Sequence, residues 1–165
     1  MRTSGFLICL LAVLEAHAAP PATSLADVNS AISKYLNEGH ADSASALVDS
    51  ALALAREAYS GDSLALAAYA DSLGVRFFSA YDYVTGVTLL ERGMALREAV
   101  LPKNDPALAG PLEQLATAYY IAGRLADAVA PQERALAIKV ASLGADDPAV
   151  AASRYELSLV FYRLT

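Results

Sequence analysis

The chain has one cysteine, Cys9, and no tryptophan. A single thiol cannot close an intrachain disulfide, so stability has to come from packing. Breakers are scarce too, with 9 Gly and 7 Pro in 165 residues. Charged residues reach only 18%, against 56% hydrophobic, which excludes a disordered chain. No excess of positive charge exists: the net charge of −6 argues against a nucleic-acid partner, which asks for a basic face. What the sequence has instead is 36 Ala and 25 Leu. That composition favours helix over sheet, and the length suits one domain with a buried core.

Catalytic constellations are missing as well. The two histidines are His17 and His40, so no histidine-pair zinc site or Cys–His couple can form in the body of the chain. No G-x-G-x-x-G, phosphate loop, H-E-x-x-H or G-x-S-x-G occurs. His40 follows Gly39 and reads as a solvated turn residue. Asp146-Asp147 resembles half a metal site, but the aligned Asn104-Asp105 explains one Asp as a helix cap. No cofactor, metal or enzymatic activity is expected.

Residues 1–18 read as a secretory signal peptide. Arg2 gives the positive start, Gly5 to Leu14 the apolar run, and Ala16-His17-Ala18 the cleavage signal. The apolar run is too short for the roughly 20 residues of a membrane span. No stable span therefore remains after cleavage. Ile8 stands before Cys9 where a bacterial lipid-attachment site wants a small residue. The acidic, Ala-rich, Arg-over-Lys composition points to the periplasm or cell envelope of a Gram-negative bacterium. Residues 19–23 form a short leader.

A 42-residue repeat organises the rest. Tyr35, Phe77, Tyr119 and Phe161 are each 42 apart, and so are Leu36, Phe78, Tyr120 and Tyr162. Asp105-Pro106-Ala107-Leu108-Ala109 recurs as Asp147-Pro148-Ala149-Val150-Ala151. Each unit reads as two helices. In the third, Asp105 caps helix A, Pro106 takes its first position, and the helix runs to about Ala122. Gly123 ends it, helix B follows from about Leu125 to Leu143, and Gly144 closes that. Pro131 inside helix B predicts a kink or a late helix start. Helix A of the first unit opens at Ser24-Leu25-Ala26-Asp27. The units are about 24–62, 63–104 and 105–146, with a partial unit 147–165.

In these residues the chain resembles the tetratricopeptide repeat family, and more closely the longer repeats of kinesin light chains. The family pattern is carried by Leu73-Gly74-Val75-Arg76-Phe77 followed by Gly86, Leu90 and Gly93, and by Leu115-Ala116-Thr117-Ala118-Tyr119 followed by Ala128 and Ala135. The first unit gives Ala31-Ile32-Ser33-Lys34-Tyr35, with Ile32 departing from the small-residue rule. The resemblance implies an all-α, right-handed superhelical solenoid of antiparallel helix pairs, about three repeats plus a terminal helix. It also implies a non-catalytic protein-interaction module whose helices A line a concave groove.

By register the groove residues are Asn29, Ser33, Leu36 and Asn37, then Asp71, Val75, Phe78 and Ser79. The later units add Glu113, Thr117 and Tyr120, and Tyr155, Leu159 and Tyr162. An aromatic stripe bordered by Asp71 and Glu113 suggests a protein or peptide partner carrying basic residues. The alternative is that these rings only pack on neighbouring helices. The last helix is apolar nearly all round, and Leu157, Phe161 and Leu164 suggest a homo-oligomer formed through it.

Overall fold

The computed structural model describes residues 24–165; the expected signal peptide and leader at 1–23 lie outside them. The described residues form helices α1 (Leu25–Asn37), α2 (Ala41–Ser45), α3 (Val48–Ala58), α4 (Ser63–Ser79), α5 (Tyr83–Glu98), α6 (Ala109–Ile121), α7 (Leu125–Leu143) and α8 (Pro148–Leu164). A 3-10 turn over Pro106–Leu108 leads into α6, and no strand occurs among the described residues. Helix α4 pairs with α5 and α6 with α7; α8 stacks on α7, and α1 packs on α2 and α3. The all-α solenoid of stacked hairpins is the fold.

Side-chain caps start every A helix. Ser24 accepts from the Asp27 amide, and Asp62 accepts from those of Leu64 and Ala65, both at 3.0 Å. Asp105 and Asp147 each accept an amide two residues on at 2.8 Å, with proline in the first turn. Each cap satisfies a donor that the helix end leaves open.

The turn from helix A to helix B has its own column. Gly39, Tyr81 and Gly123 stand 42 apart and all have positive φ, at 77°, 63° and 76°. Glycine enters that region freely, whereas a tyrosine pays a steric cost. Tyr81 is therefore strained in a turn that its two neighbouring units build with glycine.

Two features refine the reading of the sequence: of the kink or late start expected at Pro131 the late start does not occur, and helix B of the first unit is broken. Helix α7 begins at Leu125 and runs through Pro131 without a late start. The proline removes only its own amide bond to the Asp127 carbonyl, and the buried stripe Ala128, Gln132, Ala135 and Ile138 holds the helix across it. In the first unit helix B is split at Ala46-Leu47 into α2 and α3.

The core is built where small residues let helices close. A Cβ on Gly74 would stand 3.0 Å from the Gly86 carbonyl oxygen, so α4 and α5 touch backbone to backbone. Ala116 and Ala128 are buried at the matching place in the next hairpin. Phe77 and Leu73 are wholly buried beside Val28, Ile32 and Leu89. Helix α5 turns Leu89 to that cluster and Val87, Leu90 and Met94 to a second one with Leu108, Leu112 and Ile138. One helix thus ties the two halves of the core together.

Candidate functional site

Three clefts run side by side along the A helices. Between α1 and α4, Ser33, Leu36 and Asn37 meet Val75, Arg76 and Ser79. Between α4 and α6, Val75, Phe78, Ser79 and Tyr83 meet Gln114, Thr117, Ala118 and Ile121. Between α6 and α8, Ala116, Thr117 and Tyr120 meet Glu156, Leu159 and Val160. Val75 and Ser79 belong to the first two clefts and Thr117 to the last two, so they join into one track. The middle cleft is the roomiest, about 500 Å³. The columns Ser33/Val75/Thr117/Leu159 and Asn37/Ser79/Ile121 supply much of the lining, because residues four apart share a helix face.

Not every residue assigned to the groove reaches it. Asn29 sits between α1 and α4, accepting from the Tyr69 hydroxyl at 2.9 Å, while Arg76 donates to the Asn29 carbonyl at 3.1 Å. Asp71 accepts from Arg97 at 2.5 Å, with side chains only 15% and 12% exposed. Glu113 accepts from Lys139 at 2.5 Å and from the Ser153 hydroxyl. The acids thus lie between helices, neutralised by their own chain, and do not border the groove. Neither of them is left for a basic partner to pair with. Burial raises the Asp71 carboxyl above the ordinary range, against the opposing pull of Arg97. Tyr155 and Tyr162 are 64% and 79% exposed and line none of the three clefts.

Of the aromatic stripe, Phe78 and Tyr120 remain at the track. Phe78 lies against Gly86, where a Cβ would overlap its ring, and 5.5 Å from the Tyr83 ring. Tyr120 carries the Arg163 guanidinium 4.9 Å over its face. Tyr81 meets Tyr83 edge-on at 6.3 Å and is 80% exposed. Phe78 and Tyr83 thus give the middle cleft its aromatic lining, and Tyr81 adjoins it only through its contact with Tyr83. Tyr119 points elsewhere: its hydroxyl donates to Glu91 at 2.8 Å, and burial together with that carboxylate raises its pKa to about 12.

Sequence reasoning missed Arg76, Tyr83, Gln114, Ile121 and Glu156. One was within reach, since Ile121 completes the column of Asn37 and Ser79; Gln114 and Glu156 share a column of which neither member is assigned to the groove by register. On α8, Phe161, Tyr162 and Leu164 are exposed and Leu157 is half-buried. Phe161 stands in the column of the wholly buried Phe77. Among the described residues no group of three His, Cys, Asp or Glu side chains is placed to hold a metal ion. No described helix is long and apolar enough to cross a membrane.

Residues 112–149 match the tetratricopeptide repeat family. No curated protein matches the chain significantly. Among solved structures it is similar to nearly identical TPR-like repeats assigned to a kinesin light chain of Podosopora anserina, with TM-score 0.60 and 22% identity. That match covers 83% of this chain and 65% of the other. A single-residue variant of the same protein matches at TM-score 0.59, again with 22% identity and the same coverage, 83% and 65%. The chain thus spans about 65% of the length of these two structures.

Proposed function

We infer that this stack of tetratricopeptide-type hairpins is a protein-interaction module that holds an apolar segment of a partner in the track along its A helices. Tetratricopeptide repeats generally mediate protein–protein interactions, and the fold is typically non-catalytic. The observation that carries the reading is the middle cleft. Val75 and Ile121 stand 49% and 51% exposed on its two walls, with Phe78 and Tyr83 as aromatic lining. Aromatic side chains are enriched among the few residues that carry most of the binding energy at protein interfaces. With Asp71 and Glu113 paired inside and no acid lining the middle cleft, the anchor taken there is apolar.

The test is selection of peptides from a random displayed library against the chain, followed by Val75→Glu with Ile121→Glu. The reading expects enriched apolar sequences whose binding the double variant abolishes while its helicity stays intact. Failure to enrich any sequence, or undiminished binding by the variant, contradicts it. The signal peptide read in residues 1–18 extends the proposal to an exported protein of the periplasm or cell envelope. Sequencing the amino terminus of the protein recovered from that compartment checks it, with Ala19 expected first.

A second reading is favoured by α8, where Phe161, Tyr162 and Leu164 remain exposed. It is a homo-oligomer joined through that helix. Phe161→Glu should then lower the mass in solution, and an unchanged mass speaks against assembly.

A further inference from the structure

The two joints between B helices occupy the same positions of the 42-residue register but carry different charges. At the second joint, Arg134 of α7 donates to the Glu98 carboxylate and, at 2.8 Å, to the Lys103 carbonyl, which ties α7 to the end of α5. At the first joint the matching residues are Arg92 and Arg56, so an arginine replaces the acid. Arg92 turns instead to Asp49, at 2.6 Å. Arg56 makes no hydrogen bond or ion pair among the described residues. The Arg92–Asp49 pair spans the joint, but Arg56 and Arg92 cannot pair as Glu98 and Arg134 do, which leaves Arg56 without a counter-charge.

A cleft of about 480 Å³ is present at this joint, beside the Arg92–Asp49 pair and on the side away from the A-helix track. Leu52, Leu66 and Leu96 form its floor; Arg56, Arg92 and Asp49 stand at its rim. Its size is that of a small-ligand site. Asp49 offsets the charge of Arg92, and the charge of Arg56 is left uncompensated beside an apolar floor. The ligand this arrangement asks for has an anionic head and an aliphatic body. A carboxylate matches the planar fork of arginine.

We propose that the cleft between α3 and α5 binds an aliphatic carboxylate, its head on Arg56 and its chain on Leu52, Leu66 and Leu96. This does not rest on the A-helix track. The same chemistry comes from a free medium-chain acid or from an acidic residue flanked by leucines on a partner chain.

Calorimetric titration of the full chain with octanoate, and separately with acetyl-Leu-Glu-Leu-amide, tests the proposal. At least one of them should bind saturably, and methyl octanoate, which lacks the charge, should bind at least about tenfold more weakly than octanoate. The tighter of the two assigns the source. Arg56→Glu rebuilds the pairing of Glu98 with Arg134 and should weaken binding about tenfold or more without loss of helicity. Arg56→Lys keeps the charge and should retain most of the affinity. Absence of saturation by both ligands, equal binding of methyl octanoate and octanoate, or unchanged affinity in Arg56→Glu overturns the proposal.

Discussion

Lys139 of α7 donates to Glu113 of α6 at 2.5 Å, between the two helices of one hairpin. Arg97 meets Asp71 at the same offset of 26 residues in the preceding hairpin, again at 2.5 Å. Both acids and both cations therefore repeat in the 42-residue register. The pairing fixes the approach of helix A to helix B and takes both carboxylates out of the groove. The first unit has Asn29 and Ala55 in the two columns, and there Asn29 bonds forward to Tyr69.

Removing one partner strands the other. Glu113→Ala leaves the Lys139 ammonium, with its side chain only 17% exposed, without a counter-charge. The expected cost is about 3 kcal/mol, and Glu113→Leu with Lys139→Met together should recover most of it. Urea unfolding midpoints of the two variants give the answer. A single variant as stable as the parent removes the pair from the account.

Tyr81 separates stability from function. Tyr81→Gly relieves a positive φ and should stabilise the fold by about 1 kcal/mol. The same change removes an exposed ring that packs on Tyr83, a lining residue of the middle cleft, so affinity for a selected peptide should fall. Melting temperature and peptide affinity, measured side by side, are expected to move in opposite directions.

Two glycines in A helices should respond with opposite signs. A methyl group added at Gly110 would meet no neighbouring helix within 4 Å, and Gly110→Ala should stabilise α6 by about 0.5 kcal/mol. A methyl group added at Gly74 would stand 3.0 Å from the Gly86 carbonyl oxygen, and backbone cannot step aside. Gly74→Ala should cost about 1–3 kcal/mol. Denaturant unfolding of the pair checks both signs.

Tyr119 gives a pH signature. Its pKa rises from 10.0 to about 12, through burial first and then the hydrogen bond to Glu91. A raised folded-state value stabilises the protein fully below pH 10, and that contribution is lost as the pH climbs through about 12. The stability gap between the parent and Tyr119→Phe should therefore be widest at neutral pH and shrink over that window. A gap that stays constant from pH 9 to about 12 contradicts the assignment.

The repeat made much of this legible in advance. Columns 42 apart fixed the hairpin order, and Gly123 and Gly144 marked the ends of helices in the third unit. What spacing could not supply was depth. Asp71 and Glu113 sit one helical turn before Val75 and Thr117, at the border of two faces, and register alone does not say which face a side chain joins. The cations at 97 and 139 are the signal that would have settled it, because an acid column and a cation column with one offset imply a pair. Pro131 left a kink and a late start both open for a different reason: local propensity counts the lost bond, while the Ala128–Ile138 stripe that holds the helix from Leu125 onward belongs to tertiary packing. Tyr81 was hidden because a turn column is recognised by glycine, and its middle member is a tyrosine.

The most direct test of the groove is the affinity of one library-selected peptide for three proteins: the parent, Val75→Glu with Ile121→Glu, and Arg56→Glu. The middle cleft lies between the first two substituted sites, and Arg56 lies in the separate cleft between the B helices. The account predicts at least about a tenfold loss in the Val75/Ile121 variant and unchanged affinity in Arg56→Glu. Equal binding by the parent and the Val75/Ile121 variant would contradict it.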